Sequence, residues 1–115
     1  MPQSRWHPRL TDKAERDLKD IIRWTRQTFG NQQASIYREV VLRAIRVLEN
    51  GPEPIGSKNR EDLSPDLRML HVTRGSARGR HFLLFSVSKT EPMQIDVLRI
   101  LHDTMDFARR LSEEN

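Results

Sequence analysis

The spacing of hydrophobic residues changes along the chain, and this change constrains the fold more than any other feature of the sequence. Over residues 11–50, apolar side chains recur every three or four positions, which is the spacing of amphipathic helices. Over residues 67–101 they form strand-length runs separated by turn residues. Helical segments followed by strands, rather than alternating with them, predict an α+β fold with the helices gathered on one face of a sheet.

Two helices are predicted in the first half of the chain. Thr11 is a good N-cap and Gly30 is a suitable residue just past a helix end, so the first helix is expected over residues 11–29. Asn31 is expected to cap the second helix, which extends to Asn50 and stops before a Gly-Pro pair. Because the intervening turn is tight, the two helices should pack as an antiparallel α-helical hairpin.

Strands are predicted for residues 67–72, 81–87 and 94–101, and the turns between them favour an antiparallel meander. The run 81–87 is apolar at almost every position, which predicts a strand covered on both faces. The segment 5–8 is short and ends in proline, so it is expected to be an edge strand, where a missing N–H donor is tolerated.

The remaining segments are a loop and a short terminal helix. Residues 52–66 are rich in Pro, Gly, Ser and Asn, which predicts a loop without a helix. Residues 102–111 have Asp103 near their start and Arg109 near their end, the polarity that a helix prefers. The prediction is therefore an N-terminal edge strand, an antiparallel α-helical hairpin packed on a small antiparallel β-sheet and a short C-terminal helix, within one domain spanning residues 1–115.

The composition excludes several classes of protein. The 115 residues contain no cysteine, which excludes disulfides, thiolate nucleophiles and thiolate metal sites. No membrane span or signal peptide is apparent, so a cytoplasmic protein without membrane contact is expected. The four histidines lack metal-ligand spacing along the chain, and we expect neither a metal nor a cofactor.

Arginine dominates the positive charge. The chain has 20 Lys and Arg residues, of which 16 are Arg, against 16 Asp and Glu residues. The guanidinium group suits phosphates and carboxylates, so an anionic partner such as a nucleic acid or an acidic protein is expected. A GC-rich genome would also enrich arginine, and composition does not separate the two explanations.

General acid–base cleavage of RNA is the catalytic chemistry that the residues leave open. Such cleavage needs a base, an acid and a cation near the transition-state charge. Arg68, Arg80, Arg99 and His102 lie on or directly beside neighbouring predicted strands and are candidates for these roles. The alternative is that they are ordinary exposed strand positions. A Ser-His-Asp triad is rejected, because no nucleophile elbow is present.

The end of the chain carries the most specific motif. An apolar strand leads directly into His-x-x-Met-Asp, from His102 to Asp106, and this closely resembles the C-terminal motif of ParE-type toxins in the ParE/RelE superfamily. The resemblance extends over almost the whole chain. It includes the opening helix, the inter-helix turn, the end of the second helix, the following loop and the hydrophobic central strand, at residues 15–21, 29–34, 50–52, 56–58 and 80–85.

The resemblance implies the toxin half of a bacterial type II toxin–antitoxin module, with a role in plasmid stabilisation. A cognate ParD-like antitoxin is expected to hold the toxin inactive in a hetero-oligomer, laying a helix along the α-helical hairpin and the sheet. Trp6, Trp24 and Phe29 are candidate anchors for the antitoxin, because large aromatic side chains bury much area when they dock. The alternative is that these three side chains complete the core.

Two activities occur in the superfamily. ParE-type members poison DNA gyrase by binding, whereas RelE-type members cut messenger RNA on the ribosome. The only tyrosine, Tyr37, lies in the second helix rather than near the end of the chain, and this favours gyrase poisoning without catalytic residues. Surface groups near the C-terminus would then contact gyrase or its cleaved DNA: Arg99, His102, Asp106 and Arg109.

Three alternatives stay open beside gyrase poisoning. In a ribosome-dependent endoribonuclease, the catalytic residues would be Arg68, Arg80, Arg99 and His102. A toxin-fold protein without retained activity is the second alternative. The third is a basic nucleic-acid-binding module without toxicity, whose affinity for DNA would fall steeply with salt.

Overall fold

A computed structural model describes residues 5–72, 80–102 and 111, and this part of the chain contains two α-helices and one five-stranded sheet. The elements in chain order are β1 (His7–Leu10), α1 (Asp12–Phe29), α2 (Asn31–Val47), a short 3₁₀ helix (Leu48–Asn50), β2 (Lys58–Asn59), β3 (Arg68–His71), β4 (His81–Val87) and β5 (Gln94–His102). The predicted succession of helices and then strands is confirmed.

The strand order in the sheet is β1-β5-β4-β3-β2. The antiparallel meander of β3, β4 and β5 is confirmed, and β2 adds an antiparallel strand at one edge. At the other edge, β1 pairs with β5 in parallel, from His7 opposite Gln94 to Leu10 opposite Val97. The α+β fold is confirmed, and its sheet is mixed. The parallel pairing of β1 and β5 is possible because a long crossover, made of the helices and the three other strands, lies between them in the sequence.

The helix boundaries follow from local capping. The Thr11 side chain accepts a hydrogen bond from the Ala14 N–H at 3.2 Å, so the predicted N-cap of α1 is confirmed. Gly30 has φ of 96° and its carbonyl accepts from the Ala34 N–H at 3.1 Å. Gly30 therefore caps α2, and the prediction that Asn31 does so is wrong, because Asn31 is already helical.

Two predicted boundaries of the strands need correction. The edge strand expected over residues 5–8 begins at His7 and extends to Leu10. The C-terminal helix expected from His102 starts too early, because His102 is the last residue of β5 and pairs with His81. Residues 103–110 of that predicted helix lie outside the described residues.

The segment predicted as a loop contains the two-residue strand β2. Lys58 pairs with Met69 of β3, and two residues are too few to give an alternating pattern in the sequence. Beyond β2, the Arg60 side chain donates two hydrogen bonds to Asp62, at 2.9 and 3.0 Å. The hydrogen bond from Arg60 holds the pKa of the Asp62 carboxyl below its ordinary value.

The sheet is packed on both faces, as the apolar run of β4 predicted. Leu83 and Phe85 are fully buried in the cluster that α1 and α2 form with the sheet. Leu84, between them, is buried on the opposite face. The second cluster also contains Leu67, Leu101 and the partly buried Leu63, Met69, Leu98 and Leu111.

On the side of β5 that faces β1, the backbone hydrogen bonds are completed by side chains of α1 and of its N-cap. The pairing with β1 ends at Val97. From there, the Thr11 hydroxyl donates to the Leu98 carbonyl at 3.0 Å, and the Asp17 carboxylate accepts from the Ile100 N–H at 2.9 Å. Polar groups of the helix therefore replace a neighbouring strand along this part of the sheet.

Replacing Thr11 with alanine is expected to lower the free energy of unfolding by about 1–2 kcal/mol. The substitution removes both the N-cap of α1 and the donor to the Leu98 carbonyl. Urea unfolding followed by circular dichroism measures the loss. Thr11→Ser is the matched control, since it keeps the hydroxyl, and an equal loss in both variants would assign the effect to the methyl group instead.

Among the described residues, neither helix combines the length and the hydrophobicity that crossing a bilayer requires.

Candidate functional site

A groove with an apolar floor and a basic rim lies beside α1, and we call it the basic groove. Its floor is formed by Leu10, Leu18 and Ile22. Its rim carries five cations and one carboxylate, from Arg9, Lys19, Arg23, Arg26, Arg38 and Glu15. The groove has a volume of about 780 Å³ and is open to solvent.

The basic groove results from the spacing of residues in α1 and from two neighbouring elements. Leu18 and Ile22 are four residues apart and share one face of the helix, while Lys19, Arg23 and Arg26 form the adjacent stripe. Strand β1 supplies Leu10 and Arg9, helix α2 supplies Arg38, and α1 also contributes Glu15. The resulting excess of positive charge along an apolar floor is complementary to a surface that is both acidic and amphipathic.

A second polar site joins α1 to β5. The Arg99 guanidinium donates to both carboxylate oxygens of Asp17, with N–O distances of 2.7 and 2.9 Å. Both side chains are only 14% exposed. Asp17 also accepts from the Ile100 N–H. One carboxylate therefore neutralises the Arg99 guanidinium and provides an acceptor for a backbone N–H of β5.

The third site, which we call the histidine pair, consists of His81 and His102. The two residues are directly opposite in the register of β4 and β5, and their ring centroids are 5.1 Å apart. From α2, the Tyr37 hydroxyl lies 2.7 Å from Nδ1 of His81. The backbone N–H of Arg80 donates to the same hydroxyl at 3.3 Å. The pair is therefore held from one side by a helix.

The four candidate nuclease residues do not meet at one place. Arg80 and His102 both lie at the histidine-pair end of the sheet. Arg68 is opposite Phe85, near the other end of β4, and its Nη2 donates to the Ser57 hydroxyl at 2.8 Å. Arg99 binds Asp17. The structure thus brings two of the four residues together.

The aromatic candidates fall into two groups. Trp24 and Phe29 are 58% and 61% exposed, and their rings form an edge-to-face contact with centroids 5.8 Å apart. They form an exposed pair rather than part of the core, and neither lines the basic groove. Trp6 is half-buried and packs against the core, with its indole next to Gly51.

Comparison with known proteins decides the family. The family model described as "ParE toxin of type II toxin-antitoxin system, parDE" matches residues 9–107. The chain belongs to the ParE toxin family. It is 35% identical to Toxin ParE of Escherichia coli over 104 residues, which is 90% of this chain and 91% of that protein. It is 26% identical to Toxin ParE1 of Caulobacter vibrioides over 103 residues, covering 90% and 95% of the two chains.

A solved structure supports the fold of this ParE-family toxin. A chain described as "Chromosomal ParDE TA system from P. aeruginosa" superposes with a TM-score of 0.65 at 20% identity. The match covers 87% of this chain and 98% of the other. The resemblance inferred from the C-terminal motif and the order of elements is confirmed, and the chain is a toxin of a type II toxin–antitoxin system.

Several residues of this ParE-family toxin were not predicted as site residues. The basic stripe of α1 beside Leu18 and Ile22 is visible in the sequence, at a spacing of three and four residues. Nothing in the sequence indicates that Asp17 binds Arg99 or that Tyr37 reaches His81, because these contacts depend on how the helices dock on the sheet. Two predicted target contacts, Asp106 and Arg109, lie outside the described residues.

Proposed function

We propose that this ParE-family toxin acts in the cytoplasm by poisoning DNA gyrase, which blocks replication, and that a ParD-like antitoxin neutralises it in a hetero-oligomer. The observation that carries the antitoxin part is the basic groove, with its apolar floor and its rim of five cations. The gyrase part rests on membership of the ParE family and on the separation of the candidate catalytic residues.

The basic groove suits a helix from an acidic antitoxin. An amphipathic helix presents apolar residues every three or four positions, and these would contact Leu10, Leu18 and Ile22. Carboxylates beside that apolar stripe would pair with Arg23 and Arg26 on the rim. The exposed aromatic pair formed by residues 24 and 29 would extend the contact beyond the groove.

Gyrase poisoning by binding agrees with the arrangement of the basic residues. A nuclease needs its acid, base and cation close to one phosphodiester. Arg68 lies away from His102, and Arg99 makes a bidentate ion pair with Asp17. In this proposal His102 remains a target contact, together with Asp106 and Arg109, while Arg99 fixes β5 against α1.

A RelE-type ribosome-dependent mRNA endoribonuclease is the second candidate. It is favoured by one observation: the Tyr37 hydroxyl contacts Arg80 and His81, and the ring of His102 lies beside that of His81. These groups include potential proton donors and acceptors on one end of the sheet. In this case His102→Ala should abolish mRNA cleavage without loss of the fold.

Inducible expression in bacteria lacking the antitoxin separates the candidates. Gyrase poisoning predicts growth arrest with DNA-damage signalling and intact mRNA, and with purified gyrase it predicts accumulation of cleaved DNA. Co-expression of the antitoxin is the control and should restore growth. Arrest with rapid mRNA cleavage, lost in His102→Ala, would support the endoribonuclease, and the absence of arrest would contradict both candidates.

A further inference from the structure

Four cations form a row on the side of α1 that faces away from the core, and we call them the cationic row. They follow one another at spacings of three, four and three residues: Arg16, Lys19, Arg23 and Arg26. All four residues are exposed, whereas the buried residues of α1 lie on its opposite face. At a rise of about 1.5 Å per residue, the row is about 15 Å long.

The cationic row coincides with the rim of the basic groove only in part. Three of its members line the groove, but Arg16 does not. Arg16 lines a smaller pocket of about 270 Å³, in which all the lining residues are charged: Lys13, Arg16, Asp17, Asp20 and Arg99. A protein partner gains affinity from apolar contact, which the groove offers and this end of the row does not. The row therefore extends beyond the surface that suits an antitoxin helix.

We propose that the cationic row binds the phosphate backbone of duplex DNA without reading its sequence. A duplex carries about nine phosphate charges over 15 Å of its axis, so a straight row on a rigid helix can contact several of them. Single strands are bound through aromatic side chains on which bases stack, and the row contains none. The choice of DNA over RNA rests on the proposed function, in which the target is gyrase with its DNA.

Shared cations would make DNA and the antitoxin compete for the toxin. Lys19, Arg23 and Arg26 belong both to the cationic row and to the rim of the basic groove. An antitoxin helix in the groove would pair with these cations and bring its own carboxylates close to the phosphates. In this proposal the antitoxin neutralises the toxin partly by displacing DNA from α1.

Fluorescence anisotropy of a labelled 20-bp duplex of arbitrary sequence, titrated with the purified full chain, tests the proposal. For four phosphate contacts, the logarithm of the affinity should fall with the logarithm of the salt concentration at a slope of about −3 to −4. Arg16→Glu should weaken binding about 10-fold and reduce the slope by about 1. Arg43→Glu is the matched control, since Arg43 is exposed on α2 outside the row. Equal loss in both variants, or tighter binding of a single strand or an RNA duplex, would overturn the proposal.

A variant that tightens binding keeps the test valid if Arg16→Glu fails to fold. The Asp20 carboxylate lies 3.4 Å from Nη1 of Arg23 and offsets part of the positive charge of the row. Asp20→Asn should therefore raise the affinity for the duplex about 3–10-fold, because it removes a charge that repels phosphate. Loss of stability cannot produce such a gain, and an unchanged or lower affinity in Asp20→Asn would contradict the proposed surface.

Two comparisons separate this proposal from the proposed function. Arg16→Glu should weaken DNA binding and spare antitoxin binding, whereas Ile22→Ser, in the floor of the groove, should do the reverse. The toxin–antitoxin complex should bind the duplex no more tightly than the antitoxin alone, and tighter binding would overturn the competition. DNA binding without growth arrest would contradict gyrase poisoning only, and arrest by a toxin that binds no duplex would contradict the DNA site only.

Discussion

Asp17→Ala is expected to lower the free energy of unfolding by about 3 kcal/mol, one of the two largest effects that we predict. The substitution leaves the Arg99 guanidinium without its carboxylate in a setting where the side chain is only 14% exposed. It also leaves the Ile100 N–H without its acceptor, beyond the end of the β1 pairing, where no strand of the described residues covers β5. The loss of one side chain therefore destabilises the folded state in two ways.

Chemical denaturation at neutral pH measures this effect, and Asp20→Ala is the matched control. Asp20 lies on the same helix but pairs with Arg23 at 3.4 Å between two exposed side chains, so its loss should cost at most about 0.5 kcal/mol. Similar losses in the free energy of unfolding for Asp17→Ala and Asp20→Ala would show that the contact between Asp17 and Arg99 does not stabilise the fold. Replacing Asp17 and Arg99 together with apolar residues should recover part of the stability.

Reversing two charges on the rim of the basic groove is expected to weaken antitoxin binding by on the order of 100-fold. Arg23→Glu combined with Arg26→Glu replaces attraction to acidic residues of the antitoxin by repulsion, while Leu18 and Ile22 remain in the floor. Both positions are exposed on α1, so the fold should be retained. Calorimetric titration with the purified antitoxin measures the affinity, and increasing salt should reduce the difference from the unmodified toxin.

The same double variant makes a prediction in cells. The antitoxin should no longer restore growth, because the toxin stays active while its neutralisation fails. Arg43→Glu with Arg46→Glu is the control, since it makes the same change of charge on exposed α2 positions that do not line the groove. Equal loss of binding in both double variants would mean that net charge, rather than the groove, determines the affinity.

An aromatic anchor is the competing explanation for antitoxin binding, and a substitution separates it from the groove. Trp24→Ser removes half of the exposed pair that Trp24 forms with Phe29 and leaves the basic rim unchanged. If Trp24→Ser weakens binding more than the double charge reversal does, the main contact lies at the aromatic pair, as the sequence predicted.

The elements themselves were largely predictable because their causes are local. The Thr11 cap, the glycine at residue 30 and the three- and four-residue periodicity act within one or two helical turns. The run from His81 to Val87, which is apolar at almost every position, likewise predicted a strand covered on both faces. The last residues of the chain carry the motif that indicated the family, which the comparisons confirm.

The sites were predictable only in part, because each joins elements that are distant in sequence. The cations around the basic groove come from β1, α1 and α2, and their common rim depends on how the helix hairpin docks. The short strand β2 exists through its pairing with β3, so its own two residues gave no pattern to detect.

The sequence by itself thus determined the order and length of most elements and the family, since caps, turns and hydrophobic period are properties of neighbouring residues. Only the tertiary structure decided that β1 pairs in parallel with β5, that Asp17 completes the edge at Ile100 and that His81 faces His102. These features depend on strand register and helix docking, and both are set by the burial of the shared core rather than by any single segment.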